Sequence, residues 1–361
     1  MDQYMPLIED RQIALVANHS SLVGEKHLVD TLLSRGVDRG QIVKVFAPEH
    51  GFRGDQAAGV QIEDGTDPLT GIAVASLYGS HKKPEPGELD GIDVMLFDLQ
   101  DVGARFYTYI STLHYVMEAC AENGIPLIVL DRPNPNGACV DGPVLDTAYR
   151  SFVGMHPIPV AYGLTIGELA GMINGEGWLS QGIRCDLTVI SCSDYSRGQA
   201  YSMPVSPSPN LANDHAVLMY PSTCFFEGTV LSEGRGTSMP FEVYGHPELS
   251  GDFSFIPEEL PGVARNPKFE GQLCYGADLR DFIPEEGWTR IQLKWVLEAY
   301  KAFPRKEEFF TGFFNTLAGT DQLRKQIEAG WDEDRIRASW QEELEQYKLM
   351  RSKYLIYNEI K

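Results

Sequence analysis

Short apolar runs alternate with amphipathic stretches through the first 130 residues, and this pattern restricts the chain more than any motif. Residues 12–17, 41–47, 72–77, 93–99 and 126–130 each read as a strand. A run that is apolar throughout is buried on both faces, and a parallel sheet layered between helices provides that burial. The intervening stretches fit helices. One carries Leu28, Leu32 and Leu33 and stops at Gly36; a longer one puts Ile110, Leu113, Val116, Met117 and Cys120 on one stripe and stops at Gly124. The fold class expected is α/β, with a Rossmann-like parallel-sheet domain over residues 1–150. At roughly 150 residues per domain, 361 residues suggest two domains. The second, residues 151–361, is expected to be α+β and to close a cleft against the first. It reads as helix at 165–174, strand at 187–191, loop over 202–242, and helix again at 292–303, 320–329 and 334–357. Trp340, Tyr347 and Tyr354 form a stripe on the last helix that suits a core or a homodimer face.

Charge and motifs then exclude several function classes. Thirty Lys and Arg against 51 Asp and Glu give a net charge of −21, which repels phosphates and anionic lipid. The densest basic runs, His81-Lys82-Lys83 and Arg305-Lys306, are too short for a nucleic-acid site. No apolar run approaches the ~20 residues of a membrane span. Met1-Asp2-Gln3-Tyr4-Met5-Pro6 lacks a signal peptide's basic start and apolar stretch, so a cytoplasmic protein or a trimmed leader is expected. Six cysteines without C-x-x-C spacing read as buried thiols. Strand one exits into Asn18-His19-Ser20-Ser21 and not a glycine-rich turn, and the chain has no P-loop, H-E-x-x-H or G-x-S-x-G string. No cofactor and no metal are expected.

In such sheets ligands bind beyond the carboxyl ends of the strands. Those exits bring Glu49, His50, Arg53, Asp98, Gln100, Asp101, Arg105, Asp131, Arg132 and Asn134 to one rim. Glu49 lies between Pro48 and His50-Gly51, beside Phe52; it suits a general acid, or a loop carboxylate paired with Arg53. His50 and His19 suit either proton transfer or structural hydrogen bonds. Asp98 and Asp101 could act as base, nucleophile or metal ligand, or merely cap loops. Arg105 and Arg132 could fork onto a carboxylate, or balance the neighbouring aspartates. Asn134 and Asn136 could face sugar hydroxyls, and one or two of Tyr107, Tyr109, Tyr162, Phe225 and Phe226 could stack on a sugar ring. Glu227 and Arg235 are supplied by the second domain, while Glu168 reads as the capping-box partner of Thr165.

Several strings carry a family resemblance: Val45-Phe46-Ala47-Pro48-Glu49-His50-Gly51-Phe52-Arg53-Gly54, Leu77-Tyr78-Gly79-Ser80-His81-Lys82-Lys83-Pro84, Phe97-Asp98-Leu99-Gln100-Asp101-Val102-Gly103-Ala104-Arg105-Phe106-Tyr107-Thr108-Tyr109, Leu130-Asp131-Arg132-Pro133-Asn134-Pro135-Asn136-Gly137, Pro207-Ser208-Pro209-Asn210-Leu211, Phe226-Glu227-Gly228-Thr229 and Gly234-Arg235-Gly236-Thr237. In this order they resemble the NamZ-type exo-β-N-acetylmuramidases. The resemblance implies release of terminal N-acetylmuramic acid (MurNAc) from the non-reducing end of peptidoglycan fragments. It also implies a site between a Rossmann-like domain and a second domain, with Glu49 at the glutamate of the family's E-H-G-x-R string. Tyr162 departs from the family, whose members often carry His there. Glycosidases generally need two carboxyls. On that basis the expected catalytic set is Glu49 as general acid with its partner among Asp101, Asp98 and Glu227. The expected substrate-binding set is His50, Arg53, Asp98, Gln100, Arg105, Tyr107, Arg132, Asn134 and Arg235, with arginines gripping the lactyl carboxylate. Two alternatives stand beside it: a Mg²⁺-dependent hydrolase using Asp98, Asp101 and Asp131, and a non-catalytic muropeptide-binding protein. Family members are typically exported, so a periplasmic or secreted location is expected by resemblance.

Overall fold

The computed structural model describes residues 1–49, 51–53 and 65–358. Six parallel strands form its central sheet: β1 (Ile13–Ala17), β2 (Ile42–Ala47), β3 (Ala73–Ser76), β4 (Val94–Asp98), β5 (Leu127–Leu130) and β6 (Leu187–Ile190). Their spatial order is β6-β5-β4-β1-β2-β3, and the two-residue strand Gly65–Thr66 adds an antiparallel edge beside β3. This is the doubly wound order of a Rossmann-like sheet. Side chains alternate across each strand and divide between two cores. Ala14, Val16, Met95, Phe97 and Val129 join one cluster, and Ile13, Leu15, Val94, Leu96 and Ile128 the other. Helix α1 (Leu28–Ser34) covers the second cluster with Leu28, Val29 and Leu32, and α2 (Tyr109–Asn123) covers the first with Ile110, Leu113, Val116 and Met117. At the end of α2, Gly124 takes a left-handed φ of 67° that a side chain would resist.

The sheet runs past the division expected at residue 150. Helix α3 (Ile166–Gly175) packs on β6, the last parallel strand. Thr165 and Glu168 form the expected capping box on α3, and Glu168 also pairs with the buried Arg197. The expected loop over 202–242 contains a helix, α4 (Asp214–Thr223). Ala216, Val217, Met219, Tyr220, Pro221, Ser222 and Thr223 are all buried, so no apolar stripe marks this helix in the sequence. Pro221 cannot donate to the Val217 carbonyl four residues back, and the Asn136 side-chain amide takes that acceptor at 3.1 Å.

The second domain holds an antiparallel sheet of β7 (Val243–His246), β8 (Phe253–Phe255) and β9 (Cys274–Asp278), with β9 in the middle. Five helices follow: α5 (Lys294–Ala302), α6 (Phe313–Ala318), α7 (Gln322–Glu328), α8 (Glu333–Ser339) and α9 (Gln341–Arg351). The helix expected over 334–357 is broken at Trp340, whose φ of −110° interrupts the helical backbone. Of the two readings of the aromatic stripe, core or dimer face, Trp340 and Tyr347 follow the first: both are buried within this single chain, and the Tyr347 hydroxyl donates to the Tyr162 carbonyl at 2.6 Å. All six thiols are free, and five are buried. Among the described residues no helix is long and apolar enough to cross a membrane.

Candidate active site

The strand order reverses between β1 and β4, where Rossmann-like folds usually leave a crevice for ligand. Here the crevice is filled by the protein's own polar groups. Asn18, Ser20, Ser21, Asp98 and Gln100 are each 2% exposed or less. Ser21 donates to the Asp98 carbonyl at 2.5 Å, and Ser20 hydroxyl to Asn18 Oδ1 at 2.6 Å. No nucleotide could enter without dismantling this network.

The open cleft lies to one side, beyond β2 and β3, with a volume of about 420 Å³. One wall presents Glu49, Tyr78, Phe106, Thr108 and Phe152 from the sheet domain, and the other Tyr220, Glu227, Glu233 and Arg235. Glu49 follows β2 through Pro48, and Gly51 (φ 79°) donates its backbone N–H to the Pro48 carbonyl to close the turn. Thr108 Oγ1, at the start of α2, donates to Glu49 Oε2 at 3.0 Å, and the Tyr78 phenol is also hydrogen-bonded to Glu49. Burial and the Glu49 carboxylate both push the Tyr78 pKa up, so this phenol stays a donor. Opposite, Arg235 clasps Glu227 Oε1 through Nη2 at 2.6 Å and Nε at 3.1 Å, and reaches Glu233 at 3.3 Å. One carboxyl is therefore met by hydroxyl donors and the other by a guanidinium.

Most residues nominated from the strand exits hold the scaffold and not the cleft. Arg53 is paired with Asp67 at 2.8 Å and Asp30 at 3.3 Å. Arg132 forks onto Asp98 with contacts of 2.6 and 2.9 Å. Arg105 is fully buried, and donates to the carbonyls of Pro143, Ile158, Leu317 and Ala318. Gln100 donates to the Asp101 and Pro133 carbonyls, Tyr107 to the Pro207 carbonyl, and Asn134 to the Leu164 carbonyl. The polar atoms of Arg53, Asp98, Gln100, Arg105, Tyr107, Arg132 and Asn134, expected to bind substrate, are thus engaged by partners within the protein, and none of the seven is among the residues that line the cleft. His50 lies outside the described residues. Tyr109, Tyr162, Phe225 and Phe226 are buried in the core and do not line the cleft; Tyr78, Phe106, Phe152 and Tyr220 do.

Asp101, expected as a catalytic carboxyl, likewise is not among the residues that line the cleft. It is 3% exposed and accepts hydrogen bonds from the Tyr162 hydroxyl and the Gly103 N–H. Burial raises its pKa from 3.8 to about 6, a rise that the Tyr162 and Gly103 hydrogen bonds only partly offset. A carboxyl with a raised folded-state pKa stabilises the fold most below its unfolded value, and that contribution is lost as pH climbs through the folded value. Relative to Asp101→Asn, the native protein should therefore lose on the order of 3 kcal/mol between about pH 4 and about pH 7. Urea unfolding of both proteins across that range checks this; a constant difference would contradict it.

The three aspartates of the metal-dependent alternative are likewise separately occupied. Asp98 binds Arg132, Asp101 binds Tyr162, and Asp131 accepts from the Tyr357 and Thr165 hydroxyls and the Gly167 N–H. Among the described residues no group of three or more His, Cys, Asp or Glu could hold a metal ion. Tyr78, Thr108, Glu233, Arg265 and Lys268 line the cleft, and sequence reasoning gave none of them a site role, although Tyr78 and Thr108 stand within the family strings. Tyr78 had a signal, since it follows β3 as Glu49 follows β2. Arg265 had none, because its segment carries no periodicity.

Carboxylates on both walls of a sugar-sized, aromatic-edged cleft, next to a plugged nucleotide crevice, define a glycoside hydrolase on a Rossmann-like frame. Family models agree with that class: the N-terminal model of exo-beta-N-acetylmuramidase NamZ matches residues 13–215, and the C-terminal model 218–357. The chain belongs to the NamZ family of exo-β-N-acetylmuramidases. It is similar to the peptidoglycan beta-N-acetylmuramidase NamZ of Bacillus subtilis, with 39% identity over 381 residues, spanning 99% of this chain and 89% of that protein. Two crystal structures of DUF1343 family proteins from Bacteroides fragilis share its fold. One is 43% identical with a TM-score of 0.91, covering 99% of this chain and 97% of that chain. The other is 26% identical with a TM-score of 0.85 and the same coverage of 99% and 97%. The two family models meet inside α4, at residues 215–218, so the family's own division falls later than residue 150.

Proposed function

We propose that this enzyme releases terminal MurNAc from the non-reducing end of peptidoglycan glycan fragments, with Glu49 as general acid and Glu227 as the second carboxyl. The observation that carries the reading is that these two groups line one cleft, one among hydroxyl donors and one clasped by Arg235. Glu49 is positioned to protonate the departing glycosidic oxygen. Glu227, oriented by Arg235, supplies negative charge toward the oxocarbenium-like transition state. The aromatic edges of Tyr78, Phe106, Phe152 and Tyr220 offer apolar surface for a pyranose ring and its acetamido methyl. Peptidoglycan lies outside the cytoplasmic membrane, so the proposed place of work is the periplasm or the exterior.

Incubation with a MurNAc-GlcNAc disaccharide tests the reading. Free MurNAc and GlcNAc are the expected products. A disaccharide that binds yet stays intact would make the cleft that of a muropeptide-binding protein.

A further inference from the structure

The substrate proposed above differs from its GlcNAc counterpart by a lactyl carboxylate, so selectivity requires a cation able to meet an anion. The protein as a whole carries −21, and its field opposes an anionic sugar unless the cleft supplies local positive charge. The four arginines nominated from sequence for this task are all engaged. Arg53, Arg132 and Arg235 face carboxylates of the protein, and Arg105 is buried on four carbonyls. Lys268, on the cleft wall, is spent as well: its ammonium donates to the carbonyls of Phe226, Thr229 and Leu231 and to Glu233.

Among the described residues, one cation on the cleft remains. Arg265 is exposed and lines the cavity, and no described residue forms an ion pair or hydrogen bond with its side chain. Its fork of five N–H donors is therefore available to a ligand. The backbone that carries it is nonetheless held. Leu260 and Ala264 pair across a tight turn, with the Ala264 N–H donating to the Leu260 carbonyl at 2.9 Å. The buried Asn210 donates its amide to the Val263 carbonyl at 2.9 Å, and Asn210 sits on the same loop whose Pro207 carbonyl accepts from Tyr107 of the sheet domain. On the far side of Arg265, Pro267 packs against Gly236 so closely that a Cβ there would lie 2.7 Å from Pro267 Cγ. Between these anchors Asn266 takes a left-handed φ of 45°, a conformation asparagine tolerates. A guanidinium without an internal counter-ion thus projects from a turn clamped to both domains.

We propose that Arg265 binds the lactyl carboxylate of the terminal MurNAc and so sets the enzyme's preference for MurNAc over GlcNAc, an inference that rests on the function proposed above. A contact made equally in the ground and transition states changes KM and leaves kcat nearly alone.

The test compares wild type, Arg265→Gln and Arg265→Lys on a chromogenic MurNAc glycoside and on the methyl ester of its lactyl group. Arg265→Gln should lower kcat/KM on the free acid about 10- to 100-fold, chiefly through KM, as expected for loss of a charged hydrogen-bonding pair. The ester, which offers no anion, should be cleaved equally by wild type and variant. Arg265→Lys should recover part of the loss on the acid, since it keeps the charge and loses the fork. Unchanged kcat/KM on the acid, or equal losses on acid and ester, would overturn the assignment. A wild type that cleaves neither glycoside would overturn the underlying reading instead, so the two failures are distinct.

Discussion

Glu49→Gln should lower turnover of a chromogenic MurNAc glycoside by about 10²- to 10⁴-fold, the usual contribution of a general acid. The amide keeps the shape of the side chain, and its oxygen can still accept from the Thr108 hydroxyl that meets the native carboxyl group at 3.0 Å. Only the transferable proton is lost. KM should therefore stay within a few-fold, and a substrate with a strongly acidic leaving group should recover much of the rate, because that group departs without protonation. Steady-state kinetics on the two substrates checks both points. A variant retaining more than about a tenth of native turnover would remove Glu49 from the acid's role.

Arg105→Met should destabilise the protein by on the order of 3–5 kcal/mol, a large part of a typical domain's stability. Arg105 is 0% exposed, and its guanidinium donates to Pro143 and Ile158 on one side and to Leu317 and Ala318 on the other. The last two are carbonyls at the end of α6, which have no N–H donors left within the helix. Arg105 thus caps α6 and joins it to the sheet domain. Gly319, just past that end at φ 72°, lies so close that a Cβ would sit 2.7 Å from Arg105 Nη2. Burial without a counter-ion lowers the Arg105 pKa to about 9, still leaving it charged near neutrality. Methionine fills similar volume and strands four acceptors in a dry interior. Urea unfolding measures the loss; a change below about 1 kcal/mol would mean that water or local movement satisfies those carbonyls.

Arg105 also illustrates how far the site could be read in advance. Beyond β4 the sequence offers two aspartates and an arginine in eight residues, and every one of them suits chemistry. In the folded chain Asp98 meets Arg132, Asp101 meets Tyr162, and Arg105 meets four carbonyls from segments more than thirty residues away. Glu49 and Glu227 carry the same kind of side chain, yet they end on the cleft. The difference depends on which long-range partners arrive, and no local pattern encodes that. Helix α4 was missed for a related reason: burial on all sides erases the stripe by which a helix is recognised.

The sheet was legible because its information is local. An apolar run buried on both faces needs helices above and below, and the turn residues at its ends are written beside it, so strand, helix and order of elements follow from neighbouring positions. The cleft was decided by tertiary structure alone. Whether a charged group is spent on the protein or left for a ligand depends on distances of a few ångströms between segments far apart in the chain, as the saturated Arg132 and Arg265, without a partner among the described residues, show.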